Sequence, residues 1–169
     1  MLYSETFLSA QGEGNYIGHP SVWIRFFHCN LQCNGFGQQD PTDPSTYELP
    51  YEKIDLADIT RVEDLPVFDK GCDSSYTWSK KYKHLMHDKT ASEVVDIFEG
   101  YLPRGNWVHP MTQTPYHLCL TGGEPMLKMN QQNIVELFRE MLDRGNFPKF
   151  VTVETNGTQP LIPEMVALI

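Results

Sequence analysis

The sequence has no apolar run of the length a membrane helix needs, and its first residues lack the charged-then-apolar pattern of a secretory signal. A cytoplasmic location is therefore expected, with no membrane partner. Positive charge is scarce: 13 Lys and Arg stand against 22 Asp and Glu, for a net charge of -9. That balance argues against binding nucleic acid through its phosphates, and a small-molecule substrate fits better. Cysteine is sparse too, four in 169 residues. Two disulfides would need an oxidising compartment, so metal binding or redox chemistry is the better account of them. What remains is ordinary for a globular protein, 40% apolar and 21% charged, enough for one domain with a sizeable core.

Three of the cysteines form a pattern. Cys29 and Cys33 lie in His28-Cys29-Asn30-Leu31-Gln32-Cys33, and Cys72 opens Cys72-Asp73-Ser74-Ser75-Tyr76-Thr77-Trp78 after an interruption. Three thiolates can hold three irons of a cubic iron–sulfur cluster and leave the fourth iron open. A zinc site made from the same thiolates plus a histidine is the alternative, although zinc ligands usually come as two matched pairs. Cys119 stands apart in Tyr116-His117-Leu118-Cys119-Leu120, which reads as a buried strand, so it is assigned to packing. Just after it, Thr121-Gly122-Gly123-Glu124-Pro125 joins a strand end to a glycine pair and an acid.

The order of elements follows from periodicity and breakers. Strands are predicted over Ser21–Phe27, Tyr116–Leu120 and Phe150–Val153, each rich in β-branched or aromatic residues. Thr90 can cap a helix running to Gly100, with Glu93 completing a capping box and Val94, Val95, Ile97 and Phe98 facing inward. A second helix is predicted over Asn130–Arg144, with Ile134, Leu137, Met141 and Leu142 apolar and Gly145 as its stop. Residues 34 to 71, broken by Pro41, Pro44 and Pro50, read as a long inserted loop with room for one short helical turn. Strand and helix alternate, so three parallel βα units are expected. The last helix starts at Pro163 and Val166-Ala167-Leu168-Ile169 carries no stop signal, so the expectation is a domain 1–169 that ends early.

Taken in order, these motifs resemble the radical S-adenosylmethionine (SAM) superfamily and, within it, the 7-carboxy-7-deazaguanine synthase family. The likeness runs from Glu5 to Thr158, the insert aside. It rests on Ser4-Glu5-Thr6-Phe7 with Gln11-Gly12-Glu13-Gly14, on Gly18-His19-Pro20-Ser21 with Ile24-Arg25, and on the two cysteine segments. Thr121–Pro125 and Glu154-Thr155-Asn156-Gly157-Thr158 complete it. The sequence departs from the family twice. The third cysteine normally follows the second after two residues, where Phe36 stands here; Cys72 is taken as the displaced ligand. The family's later strands are also absent, which leaves activity open.

The resemblance implies an α/β fold, a partial (β/α) radical SAM barrel ending after about three βα units. It implies a lyase that converts 6-carboxy-5,6,7,8-tetrahydropterin to 7-carboxy-7-deazaguanine with loss of ammonia, on the route to queuosine. Cys29, Cys33 and Cys72 would hold a [4Fe-4S] cluster whose open iron binds SAM. Gly122, Gly123, Glu124 and Asn156 would bind SAM, with Glu124 accepting a hydrogen bond from its ammonium. Asn156-Gly157 can equally be a left-handed turn. Ser74 would ligate Mg²⁺, or simply cap the turn after Cys72. Gln11, Gly12, Glu13, Arg25 and Thr121 would contact the pterin, Arg25 through its carboxylate; a buried ion pair of Arg25 with Glu13 or Glu154 is the alternative. His28, where the family often has glycine, either tunes the cluster or fills space. An electron donor such as a flavodoxin and a homodimer are the implied partners. Two other readings stay open, a glycyl-radical-activase-like protein and an inactive metal-binding module.

Overall fold

The computed structural model describes residues 1–168; Ile169, the end of the last predicted helix, lies outside the described residues. The chain runs β1 (Leu2–Ala10), β2 (Pro20–Phe26), α1 (Pro50–Lys53), β3 (His87–Asp88), α2 (Ala91–Tyr101), β4 (His117–Gly122), α3 (Lys128–Asp143), β5 (Phe150–Val153) and α4 (Pro163–Val166). The strands form one five-stranded sheet in the order β3-β1-β2-β4-β5. β2, β4 and β5 are parallel, joined by crossovers through α2 and α3, while β1 lies antiparallel to both β2 and β3. The expected parallel βα units are present, but the sheet is mixed because of β1 and β3, which sequence patterning did not find.

A β-bulge explains why β1 was hidden. The register shifts between Tyr3 and Glu5, so Tyr3 opposes Phe26 while Glu5 opposes Arg25. An extra residue at Ser4 breaks the two-residue alternation that marks a strand. It also turns Tyr3 into the core and leaves Glu5 on the other face of the sheet.

The core fills the helix-covered face. Val22, Ile24 and Phe26 of β2 and Leu118 and Leu120 of β4 pack under Val94, Val95 and Phe98 of α2 and Ile134, Leu137, Phe138 and Met141 of α3. Thr90 caps α2 as expected: its hydroxyl accepts from the Glu93 N–H, and the Glu93 carboxylate accepts from the Thr90 N–H. Gly145 follows α3 at φ +67°, the left-handed conformation that ends a helix. Leu142 does not join the apolar stripe; it is 52% exposed, one position round the helix from fully buried Met141.

The insert is packed rather than loose. Tyr51 and Phe68 from within it meet Tyr82 and Leu85 from the chain after Cys72 in a second small core, lined by Leu49, Ile54, Leu56, Ile59, Val62 and Leu65. The Tyr82 hydroxyl donates to the Tyr51 carbonyl. Met141→Ala is expected to cost about 2–5 kcal/mol, whereas Leu142→Ser should stay within about 0.5 kcal/mol; urea denaturation of the two variants measures the difference.

Candidate functional site

The parallel strands end together at one edge of the sheet, and the motif loops collect there. Leaving β2, the chain enters the cysteine loop, where His28 adopts φ +73° and Cys33 φ +52°. A positive φ at position 28 accounts for the glycine the family often carries there. Cys29, Cys33 and Cys72 are all free thiols of intermediate exposure. Burial raises the pKa of Cys33, and the neighbouring Cys72 and Cys29 raise it further. Burial likewise raises Cys29, offset by the Leu31 N–H that points at its sulfur from 3.4 Å and increased by Glu124 and Cys72. The three thiols thus lie within electrostatic reach of one another.

What brings Cys72 back is the neck of the insert. The Gly71 N–H donates to the Phe36 carbonyl at 2.7 Å, and Gly37, at φ +66°, lies so close to the other limb that a Cβ there would be 2.6 Å from the Asp69 carbonyl oxygen. The two ends of the insert meet, so Cys33 and Cys72 sit as neighbours despite residues 34 to 71 between them. Among the described residues no three His, Cys, Asp or Glu side chains are spaced to hold a single metal ion. Three soft, partly exposed thiols at a loop mouth do fit an iron–sulfur cluster.

The glycine pair is accounted for by the protein's own backbone. A Cβ on Gly122 would stand 2.4 Å from the Phe26 nitrogen, and one on Gly123 2.1 Å from the His28 carbonyl oxygen. Gly123 N–H donates to the Phe26 carbonyl at 3.1 Å and Glu124 N–H to the His28 carbonyl at 2.8 Å, extending the β2–β4 pairing into the cysteine loop. Glu124, expected to accept from the SAM ammonium, is taken up by the protein itself. Its side chain is fully buried, with Oε1 accepting from the Met126 N–H (2.7 Å) and Thr155 hydroxyl (2.6 Å) and Oε2 from the Asn156 N–H (2.8 Å). The carboxylate ties the loop after β4 to the loop after β5. Asn156 itself is exposed, and Gly157 turns at φ +71°, so the left-handed turn is present.

The sheet face opposite the helices forms the floor below these loops. Register places Glu5, Phe7 and Ser9 beside Arg25, Trp23 and Ser21, then Thr121, Cys119 and His117. Arg25 is ion-paired with Glu5 (2.7 Å), not with Glu13 or Glu154, and its Nη1 donates to the Ser74 hydroxyl at 3.0 Å. Tyr76 donates to the same Glu5 oxygen at 2.9 Å, and Ser74 donates to Asp73 at 3.0 Å. Burial pushes the Tyr76 phenol pKa up. Ser74 begins the turn after Cys72 but makes no capping bond, which removes the capping alternative.

Gln11 is buried at the opposite strand ends, yet its Nε2 reaches back to Cys119 Sγ at 3.6 Å. Cys119 and Thr121 are successive positions on one face, about 7 Å apart, so Gln11, Cys119, Thr121 and Arg25 form one patch. Gly12 and Glu13 do not join it: both are exposed, and their N–H groups bind the Gln11 side-chain oxygen at 2.7 and 3.4 Å.

No protein-family model matches the chain. Among curated proteins it is 28% identical to one from Methanospirillum hungatei over 160 residues, 95% of this chain and 44% of that one. Proteins from Thermoplasma acidophilum (26% identity, 94% of this chain, 47% of that one) and Bacteroides thetaiotaomicron (28%, 96% and 55%) match similarly. All are named 7-carboxy-7-deazaguanine synthase. This chain is their relative. It spans about half the length of these synthases. The crystal structure of QueE from Escherichia coli shares the fold, with a TM-score of 0.52 at 19% identity over 95% of this chain and 54% of that one.

Two residues at these strand ends were given no role by the sequence. Glu5 was concealed by the bulge in β1. Asn130, fully buried, donates to both the Phe27 and Glu124 carbonyls and so braces two loops at once; a polar residue on an otherwise apolar helical stripe was its only sign. Cys119, assigned to packing, is fully buried as expected, on the sheet face away from the helices.

Gly123→Ala is expected to cost about 2–3 kcal/mol and to lower iron uptake on reconstitution with every cysteine intact, read from melting curves and iron analysis. Burial pushes the Cys119 thiol from 9.0 to about 11, so the folded state holds this proton longer than the unfolded chain. The resulting stability is intact below pH 9.0 and is lost as pH rises toward 11. Between about pH 8 and about pH 10.5 the native protein should therefore lose more stability in urea titrations than Cys119→Ala does.

Proposed function

We propose that this chain carries the cluster- and SAM-binding part of a radical SAM lyase of the 7-carboxy-7-deazaguanine synthase type, acting on 6-carboxy-5,6,7,8-tetrahydropterin. The observation behind it is the gathering of Cys29, Cys33 and Cys72 at the strand ends by the closed neck of the insert. The sheet is then the opening segment of a partial (β/α) barrel, and the helix-free face is its interior. Cys29, Cys33 and Cys72 hold the [4Fe-4S] cluster. When bound, cluster and SAM supply a one-electron cleavage that yields a carbon-centred radical able to take hydrogen from the substrate.

The remaining work falls to this chain's side chains. Gly122 and Gly123 keep the loop after β4 low beside the cysteines, and Asn156 presents its exposed polar edge to SAM. Glu124 serves the SAM site by fixing the Asn156 backbone rather than by meeting the ammonium. Arg25, held by Glu5 and Ser74, has one edge of its guanidinium uncommitted and receives the substrate carboxylate there. Gln11 and Thr121 meet the heterocycle, while Gly12 and Glu13 act by shaping the Gln11 side chain. A Mg²⁺ would be held by the remaining lone pair of the Ser74 hydroxyl, which accepts once from Arg25 and donates to Asp73, and would supply positive charge for the substrate carboxylate. A one-electron donor of the flavodoxin kind and a homodimer belong to the same reading.

Anaerobic reconstitution with iron and sulfide, followed by an assay for 5'-deoxyadenosine with and without the pterin, tests the whole. Substrate-dependent 5'-deoxyadenosine and a deazapurine product are expected. A cluster that forms without SAM cleavage overturns the activity for this chain. Cys72→Ala should abolish the iron–sulfur absorbance and Phe36→Ala should keep it; a cluster retained in Cys72→Ala disproves the third ligand.

A further inference from the structure

At the mouth of the site three exposed polar side chains close a ring. Asn30 Nδ2 donates to Thr158 Oγ1 at 2.8 Å, Thr158 Oγ1 donates to Asn156 Oδ1 at 2.7 Å, and Asn156 Nδ2 donates to Asn30 Oδ1 at 3.1 Å. The direction of the ring is fixed by one backbone group. Thr158 N–H also points at Asn156 Oδ1, at 3.1 Å, so this oxygen must face Thr158 and the amide nitrogen must face Asn30. Asn30 then has a single orientation that satisfies both neighbours. The ring joins the cysteine loop to the loop after β5, while the backbone N–H of Asn156 is held from the opposite side by buried Glu124.

Bonds among exposed groups add little to global stability, each about 1 kcal/mol or less. Their effect here is positional. Asn30 lies between two thiols, so any settling of that loop around a ligand moves the partner of the Asn156 amide.

We propose that Asn30 is a positioning residue that couples the cysteine loop to the Asn156 loop: loading the thiols orders the Asn156 side chain. This rests on the reading of Cys29, Cys33 and Cys72 as cluster ligands. By reciprocity, whatever then binds at Asn156 tightens the hold on the cluster.

Hydrogen exchange read by mass spectrometry over residues 154–158 tests the coupling in the metal-free and the iron–sulfide-reconstituted chain. Reconstitution is expected to slow exchange there about fivefold. Asn30→Ala and Thr158→Val should each abolish the slowing at unchanged iron content, and the double variant should be no worse than either, because all three break one ring. Slowing that persists in both single variants, or effects that add, overturns the proposal. If Asn30→Ala also loses iron, Thr158→Val decides alone, since it alters no residue of the cysteine loop. If the native chain takes up no iron, the reading of the thiols fails. The ring is then judged on metal-free protein, where exchange at 156–158 must rise in both variants or the ring itself is disproved.

Discussion

Two backbone segments from different strands lie closer at Gly123 than any side chain permits, with a hypothetical Cβ 2.1 Å from the His28 carbonyl oxygen. Everything at the strand ends depends on that approach. Because β4 carries no side chain at 122 and 123, its backbone continues pairing past the end of β2 and grips the loop that bears Cys29. The cysteine loop therefore inherits the rigidity of the central strands, although it is itself irregular. A loop mouth built this way is positioned by main-chain geometry rather than by long side chains.

The second layer of order is a carboxylate with no exposure to water. Glu124 makes three hydrogen bonds to groups on two loops, and a buried polar side chain is tolerated when so well supplied. Asn130 adds the link from helix α3 to the Phe27 and Glu124 carbonyls. The loops after β2, β4 and β5 are thus one connected polar network, and disturbing any member reaches the others. The Glu5–Arg25–Ser74 chain does the same on the side of β1, so the guanidinium enters the floor already oriented.

Much of this was readable from the sequence, and the misses have physical causes. The helices announced themselves through capping and period, as at Thr90 and Glu93. The glycine pair and the cysteines were found by type and order. β1 escaped because a bulge at Ser4 scrambles alternation, and with it went Glu5, the true partner of Arg25. Glu124 was singled out in its loop, but its burial was not legible, because a sequence does not say whether an acid after two glycines turns outward or under. Cys119 was read as buried packing and is fully buried, although the sequence does not say on which face of the strand. Nothing in the sequence singles out Asn30 between Cys29 and Cys33, since its partners lie more than a hundred residues away.

The pinched neck at Phe36 and Gly71 changes what chain length means at this site. For a flexible loop the entropy of closure grows only with the logarithm of its length, so the additional residues add little once the ends are fastened. The insert also packs its own small core, which offsets part of that cost. Measured along the chain, Cys33 and Cys72 are far apart; measured through the neck, they are local. The spacing between Cys33 and Cys72 is therefore free to drift in length without separating the two thiols, and a sequence pattern that counts residues between cysteines will overlook such an arrangement.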